Sequence, residues 1–346
     1  MADHTRFGGP SKEWLIHEAV YGPVPETPIH TLPAQEIQKQ VNEEREKASA
    51  KAMKVEGLAE KVQIKSIQIP TRDGYNIPTR IYSPSETTSP NLPIYIFYHG
   101  GGFIYGTAAT EDATCSRIAA ATPFIVISII YRHAPQNPYP AAHHDASDAY
   151  DWVIANSSSL GGDPVAIVVG GESSGGNLAA SVILEKHAYG KEPEPKIKIR
   201  AGYHGSRDKA SRVQCAKAPV LPMALVDFFA GVFRGNGDAV LPDVGLVSEK
   251  DLAGFPGTAF LVAGNDPLRG DGFLFAEKMQ RAGVPVKFNV FAGIPHAFRR
   301  FDDLESSKRW DELMVESIKW TLAEQKAQVR PLDVKVEGSV NEYLGR

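Results

Sequence analysis

The chain has 346 residues, 42% of them hydrophobic and 23% charged, the ordinary balance of a soluble globular protein. A net charge of −4 gives no field to gather nucleic acid or an anionic membrane, and no run nears the roughly 18 apolar residues of a bilayer span. Two cysteines, Cys115 and Cys215, are too few for a disulfide framework; with no leader-like start and no common C-terminal address, a cytoplasmic location is expected.

The first 60 or so residues are polar, with a helix expected from Pro33 to Lys54. Its run Glu43-Glu44-Arg45-Glu46-Lys47 reads as a solvated helix face. Strand-like runs at Val62–Pro70 and Tyr75–Tyr82 flank Arg72-Asp73-Gly74, and Asp-Gly between alternating apolar residues predicts a hairpin. Apolar, β-branched runs then recur at Ile94–Tyr98, Phe124–Tyr131, Val165–Val169, Ile197–Tyr203, Ala259–Val262 and Val286–Phe291. Helical stretches at Glu111–Ala121, Ala142–Asn156, Gly176–Tyr189, Gly272–Ala282 and Ser306–Glu324 lie between or after them. This alternation predicts an α/β fold with a mostly parallel sheet covered on both faces. From Tyr203 to about Asp251 the alternation breaks, leaving one apolar run, Val220–Phe233, interrupted by Pro222; an insertion of that length reads as a lid or cap. The tail beyond Gln328 has few apolar residues to anchor it.

The strand at Val165–Val169 runs into Gly171-Glu172-Ser173-Ser174-Gly175 and then a helix. That is a G-x-S-x-G nucleophile elbow in its strand–turn–helix setting, with glycines making room for a strained, exposed serine. A second signal follows Ile94–Tyr98, where His99-Gly100-Gly101-Gly102-Phe103 lets the backbone approach a substrate oxygen without Cβ obstruction. The N–H groups of Gly101, Gly102 and Ser174 could hold an oxyanion, each donor worth roughly 3 kcal/mol in a transition state. A phosphate loop would need Gly-Lys-Ser/Thr, which is lacking.

A nucleophilic serine needs a base and a group to orient it. Asp266 follows the strand Ala259–Val262 and His296 follows Val286–Phe291, so both sit at the carboxyl ends of strands, where open parallel sheets place their sites. Asp271 is the rival carboxylate, but it lies at a helix start where capping would explain it. His143-His144-Asp145 are adjacent on a helix and point different ways, so no metal is expected there, nor any other cofactor. His204, Phe103, Tyr105, Phe228, Phe229, Phe233 and Phe298 could line an apolar pocket, or simply pack the core and cap.

His99-Gly-Gly-Gly-Phe103, Tyr131-Arg-His-Ala-Pro135, Gly171-Glu-Ser-Ser-Gly-Gly-Asn-Leu-Ala179, Asp266-Pro-Leu-Arg269 and Pro295-His-Ala-Phe298 together resemble the hormone-sensitive-lipase-like branch of α/β hydrolases, from roughly Pro70 to Leu322. The resemblance implies a central eight-stranded, mostly parallel sheet flanked by helices. It implies a helical cap formed by residues 1–60 and 205–251, a core of 61–204 and 252–328, and a tail of 329–346. Ser173 would be the nucleophile, His296 the base, Asp266 its orienting carboxylate, Gly101, Gly102 and Ser174 the oxyanion hole, and His99 a support for the glycine loop. Glu172 and Ser174 depart from the family's usual Asp and Ala, Ile130 from its frequent Asp, and Tyr203–Arg207 from its proline-containing turn. The expected activity is hydrolysis of a small to medium apolar ester or lactone through an acyl-serine, by a monomer or homodimer. The alternatives are a lyase, dehydratase or cyclase of secondary metabolism working through the same histidine and oxyanion hole, and, more remotely, a ligand-binding receptor.

Overall fold

The computed structural model describes residues 4–86, 91–189, 210–235, 247–323 and 332–338. In chain order the first elements are α1 (Lys12–Tyr21), α2 (Ala34–Val55), α3 (Leu58–Lys61), β1 (Val62–Pro70), β2 (Asn76–Pro84) and β3 (Leu92–Tyr98). There follow α4 (Asp112–Ala121), β4 (Ile125–Ile129), α5 (Ala141–Asn156), β5 (Gly162–Gly171), α6 (Ser174–Tyr189), α7 (Ala210–Gln214) and α8 (Met223–Arg234). The last are α9 (Glu249–Leu252), β6 (Thr258–Asn265), α10 (Arg269–Arg281), β7 (Val286–Pro295), α11 (Glu305–Leu322) and β8 (Val334–Glu337). Two compact units emerge, one of residues 28–195 and 229–239, the other of 1–27, 196–228 and 240–346.

The first unit holds a five-stranded sheet in the order β1-β2-β4-β3-β5. β1 and β2 form the expected antiparallel hairpin, Pro70 opposite Asn76. Gly74 at φ 82° turns the chain, and Tyr75 O accepts from Thr71 N–H at 2.8 Å. The edge strand β1 carries Gln63, Lys65, Ser66 and Gln68 on exposed or half-exposed positions, which discourages further pairing. β3 pairs in parallel with β4 and β5, and its Ile94, Tyr95, Ile96, Phe97 and Tyr98 are all fully buried, as a central parallel strand requires. Helix α6 packs on β3 and β5, α4 on β2 and β4, and α2 on α4.

The second unit holds β6, β7 and β8, all parallel. Alternation along β7 sends Phe288 and Val290 to one face with Phe273 and Ala276 of α10, and Phe291 to the other with Trp310 and Leu313 of α11. Phe7 joins the first cluster and Trp14 of α1 the second, so residues near the N-terminus contribute to both faces.

Three features differ from the sequence reading. Helix α1 stands where only polar chain was expected; Ser11 caps it, its hydroxyl accepting from Trp14 N–H at 3.1 Å. Pro222 does not interrupt the apolar run but starts α8, its carbonyl accepting from Leu225 and Val226 N–H. Proline suits that position because its missing N–H has no intrahelical partner to lose. Val334–Glu337, placed in an unanchored tail, adds β8 beside β7. The described residues thus form sheets of five and three strands; the expected strand at 197–203 lies outside them.

Candidate active site

Ser173 sits between the end of β5 and the start of α6 at φ 52°, a left-handed conformation that costs a non-glycine residue about 1–2 kcal/mol. Hydrogen bonds hold it there: Gly175 N–H donates to Glu172 O at 2.8 Å, and Glu172 N–H to Tyr98 O at 3.2 Å. The two flanking glycines are steric necessities. A Cβ at Gly171 would fall on the Tyr98 carbonyl oxygen and on the backbone of Gly175, and one at Gly175 on the carbonyl oxygens of Tyr98 and His99. The motif therefore encodes the close crossing of the elbow over the end of β3.

The glycine loop leaves that same strand end. Gly101 has φ 135° and Gly102 φ 62°, both open only to glycine at low cost. Among the described residues, the backbone N–H groups of Gly101, Gly102 and Ser174 donate to no backbone acceptor, leaving three donors close to the elbow in sequence or space. His99, fully buried, must carry its proton on Nδ1, because that atom lies 3.0 Å from the Gly100 carbonyl oxygen. Burial pushes its pKa down to about 3, so it is a neutral donor rather than a base. Its ring stacks on Tyr131 at 4.3 Å, and the Tyr131 hydroxyl donates to His99 O at 2.8 Å. The same hydroxyl lies 3.3 Å from Ser174 Oγ, which gives the unusual Ser174 side chain a partner. Arg132, next in that motif, forms an ion pair with the buried Asp145 at 2.6 Å, and His143 Nε2 lies 3.2 Å from Asn177 Oδ1.

In the other unit, parallel register sets Asn265 of β6 beside Pro295 of β7, so the next residues, Asp266 and His296, emerge side by side. Asp266 Oδ2 accepts from His296 Nδ1 at 2.6 Å, and its Oδ1 accepts from Leu268 N–H at 2.7 Å. A carboxylate can only accept, so the imidazole proton sits on Nδ1 and Nε2 keeps its lone pair. Asp266 is 5% exposed, so little water competes for its two bonds. Asp271 pairs instead with Arg212 at 3.3 Å, and the first turn of α10 is capped by Ser211, whose hydroxyl accepts from Gly270 N–H at 3.1 Å.

The aromatic candidates have separate surroundings. Phe103, at φ 65°, stacks on Phe233 at 3.9 Å, and Tyr105 meets Phe229 edge-on at 5.4 Å. The Phe229 ring also occupies the space a Cβ on Gly102 would need. Phe298 packs on Phe291 at 4.8 Å inside the α11-facing core cluster. His204 lies outside the described residues.

One set of residues near the glycine loop was not legible as such. Helix α2, read as a solvated charge run, directs Gln38, Asn42, Arg45 and Glu46 onto residues 100–107, while Glu43, Glu44 and Lys47 stay exposed. The available signal was the spacing 38, 42, 45, 46 and 49, a polar stripe with helical period on one face.

Comparison with known proteins agrees with this fold. A family model described as alpha/beta hydrolase fold matches residues 95–300. Esterase LipI of Mycobacterium tuberculosis is 34% identical over 229 residues, 64% of this chain and 71% of that protein. Carboxylesterase NlhH of the same species is 34% identical over 233 residues, covering 65% and 72%. An esterase structure from Pyrobaculum calidifontis superposes with a TM-score of 0.74 at 30% identity, covering 90% of this chain and 98% of that one. With the elbow, the glycine loop and the late-strand Asp–His pair all present, the chain belongs to the hormone-sensitive-lipase-like family of α/β hydrolases.

Proposed function

We propose that the protein is a serine-dependent carboxylic ester hydrolase in which Ser173 Oγ attacks the ester carbonyl. The observation that carries this reading is Ser173 itself, held at φ 52° on the turn between β5 and α6. His296 Nε2 takes the hydroxyl proton as the C–O bond forms, and Asp266 stabilises the resulting imidazolium through Nδ1–H. The tetrahedral oxyanion is received by the N–H groups of Gly101, Gly102 and Ser174. Collapse expels the alcohol, which takes the proton from His296, and water repeats the sequence on the acyl-serine to release the acid. His99 supports the glycine loop as a neutral buried donor, consistent with its depressed pKa.

The substrate is a small-molecule ester with an apolar acyl or alcohol part, received against Phe103 and Tyr105. The insertion 205–251 serves as a cap; Phe229 and Phe233 of α8, packed on Gly102 and Phe103, support that assignment. Among the described residues no helix is long and apolar enough to cross a membrane, and both cysteines are free and buried, which suits a cytoplasmic enzyme. The relatives named above are esterases, and no observation favours lyase chemistry.

The test is Ser173→Ala assayed on p-nitrophenyl butyrate, with circular dichroism and thermal melting alongside. Hydrolysis should fall by at least about 10³-fold with the fold intact, and a fluorophosphonate probe should label the wild type alone. Undiminished turnover in a folded Ser173→Ala protein overturns the assignment.

A further inference from the structure

Helix α2 carries Gln38, Asn42, Arg45, Glu46 and Ser49 along one face, and each bonds outward. Gln38 Nε2 donates to Ile104 O at 2.6 Å, Gly106 N–H to Asn42 Oδ1 at 2.8 Å, and the Thr107 hydroxyl to Glu46 Oε1 at 2.6 Å. Ala113 N–H donates to Ser49 Oγ at 3.1 Å, continuing the stripe onto α4. Arg45 has two contacts: Nη2 to Glu111 Oε1 at 2.7 Å and Nη1 to Gly100 O at 3.3 Å. Glu111 is 3% exposed and also accepts from the Thr110 hydroxyl at 2.8 Å, so its carboxylate gives Arg45 a fixed anchor.

The Gly100 contact reaches an atom of the reaction. Gly100 C=O and Gly101 N–H belong to one planar trans peptide, so the carbonyl direction sets the N–H direction on the opposite side. Glycine on both sides leaves that plane otherwise free to rotate about its flanking bonds. Two donors hold it: His99 Nδ1–H at 3.0 Å and the Arg45 guanidinium. A cation on the carbonyl also polarises the peptide, making its N–H a stronger donor.

Resting on the reading of Gly101 as an oxyanion donor, we infer that Arg45, anchored by Glu111, is a positioning residue that aims and polarises the Gly101 N–H through the Gly100 carbonyl. The N-terminal helix thereby takes part in transition-state stabilisation without touching substrate. A residue acting in this way affects the oxyanion and not ground-state binding.

Four variants of the full chain test this: Arg45→Met, Arg45→Lys, Glu111→Gln and, as control, Lys47→Met on the exposed side of α2. Each is measured for kcat and KM on p-nitrophenyl butyrate and for inhibition by an alkyl trifluoromethyl ketone, which forms an oxyanion adduct. Loss of a whole oxyanion donor costs about 10²–10³-fold, so misaiming one should lower kcat by about 10- to 100-fold in Arg45→Met. KM should stay within about twofold, inhibitor affinity should fall by the same factor as kcat, and Arg45→Lys should recover part of both. Glu111→Gln, which keeps size and the Thr110 bond, should lose about 5- to 10-fold and carries the test if Arg45→Met does not fold. Lys47→Met should match the wild type. A folded Arg45→Met with kcat within about threefold of wild type, or a kcat loss without parallel loss of inhibitor affinity, overturns the inference. Ser173→Ala run in parallel separates the two proposals: full turnover there sinks the acyl-serine reading. An inactive Ser173→Ala beside an unaffected Arg45→Met refutes only the role given to Arg45.

Discussion

Asp266→Asn isolates the tautomer of His296 from everything else at the site. Both carboxylate oxygens of Asp266 accept hydrogen bonds, from Leu268 N–H at 2.7 Å and from His296 Nδ1–H at 2.6 Å. An amide of the same shape has one oxygen, so its NH2 must face one of two donors. The Leu268 N–H is part of the backbone and cannot invert, whereas the imidazole proton can move. The amide oxygen therefore goes to Leu268, and the NH2 donates to His296 Nδ1, which drives the ring proton onto Nε2. The alternative leaves a buried donor facing a donor, at a cost of about 1–3 kcal/mol. In the proposed mechanism a ring protonated on Nε2 has no lone pair to take the Ser173 proton, and holding a triad histidine in the wrong tautomer costs about 10⁴-fold in kcat, or about 5 kcal/mol of barrier. The variant should thus melt within a few degrees of the wild type and lose about 10³- to 10⁴-fold in kcat on p-nitrophenyl butyrate, with KM little changed. A folded Asp266→Asn enzyme within about tenfold of wild-type kcat would refute both the tautomer argument and the role of His296 as base.

Two further outcomes follow from buried geometry. Gly175→Ala should lower stability by about 1–3 kcal/mol and depress kcat, because its Cβ meets carbonyl oxygens of Tyr98 and His99 that cannot rotate away. Gly231→Ala, in α8 with no atom within 4 Å of the added Cβ, should be neutral or raise stability by up to about 1 kcal/mol. Equal shifts for the two in urea denaturation would contradict the steric account. His99, His133 and His143 are buried and neutral, with pKa values lowered by burial to about 3, well below normal, and about 4 respectively. The unfolded chain takes up these protons near pH 6.5 and the folded chain only far below, so stability is full above that pH and is lost as it falls. Each histidine adds up to about 1.4 kcal/mol per pH unit to the slope below pH 6.5. His143→Gln should remove about one proton from that slope; a flat stability between pH 6.5 and 5 would refute the assignment.

The division between what the chain declares and what the fold decides follows the range of the interactions. The elbow at Ser173, the glycine loop and the β1–β2 hairpin are written in consecutive residues, because glycine positions and turn chemistry act on the backbone where they stand. The alternating strands and helices are equally local, since periodicity reports which face of one element is buried. The choice between Asp266 and Asp271 is not local: it depends on the register that sets Asn265 beside Pro295, after which Asp266 meets His296 and Asp271 meets Arg212. β8 forms from a weakly apolar stretch because β7 offers it a parallel edge. The Ser174 hydroxyl finds its partner on Tyr131, 43 residues away. Arg45 shows the same limit most clearly. Glu43, Glu44 and Lys47 beside it in the charge run face water, while its own partners, Gly100 and Glu111, lie 55 and 66 residues further on. The sequence by itself determined the chemistry of the elbow and its glycine loop; only the tertiary structure decided which distant side chains hold that loop in place, because such bonds exist only once the chain has brought them together.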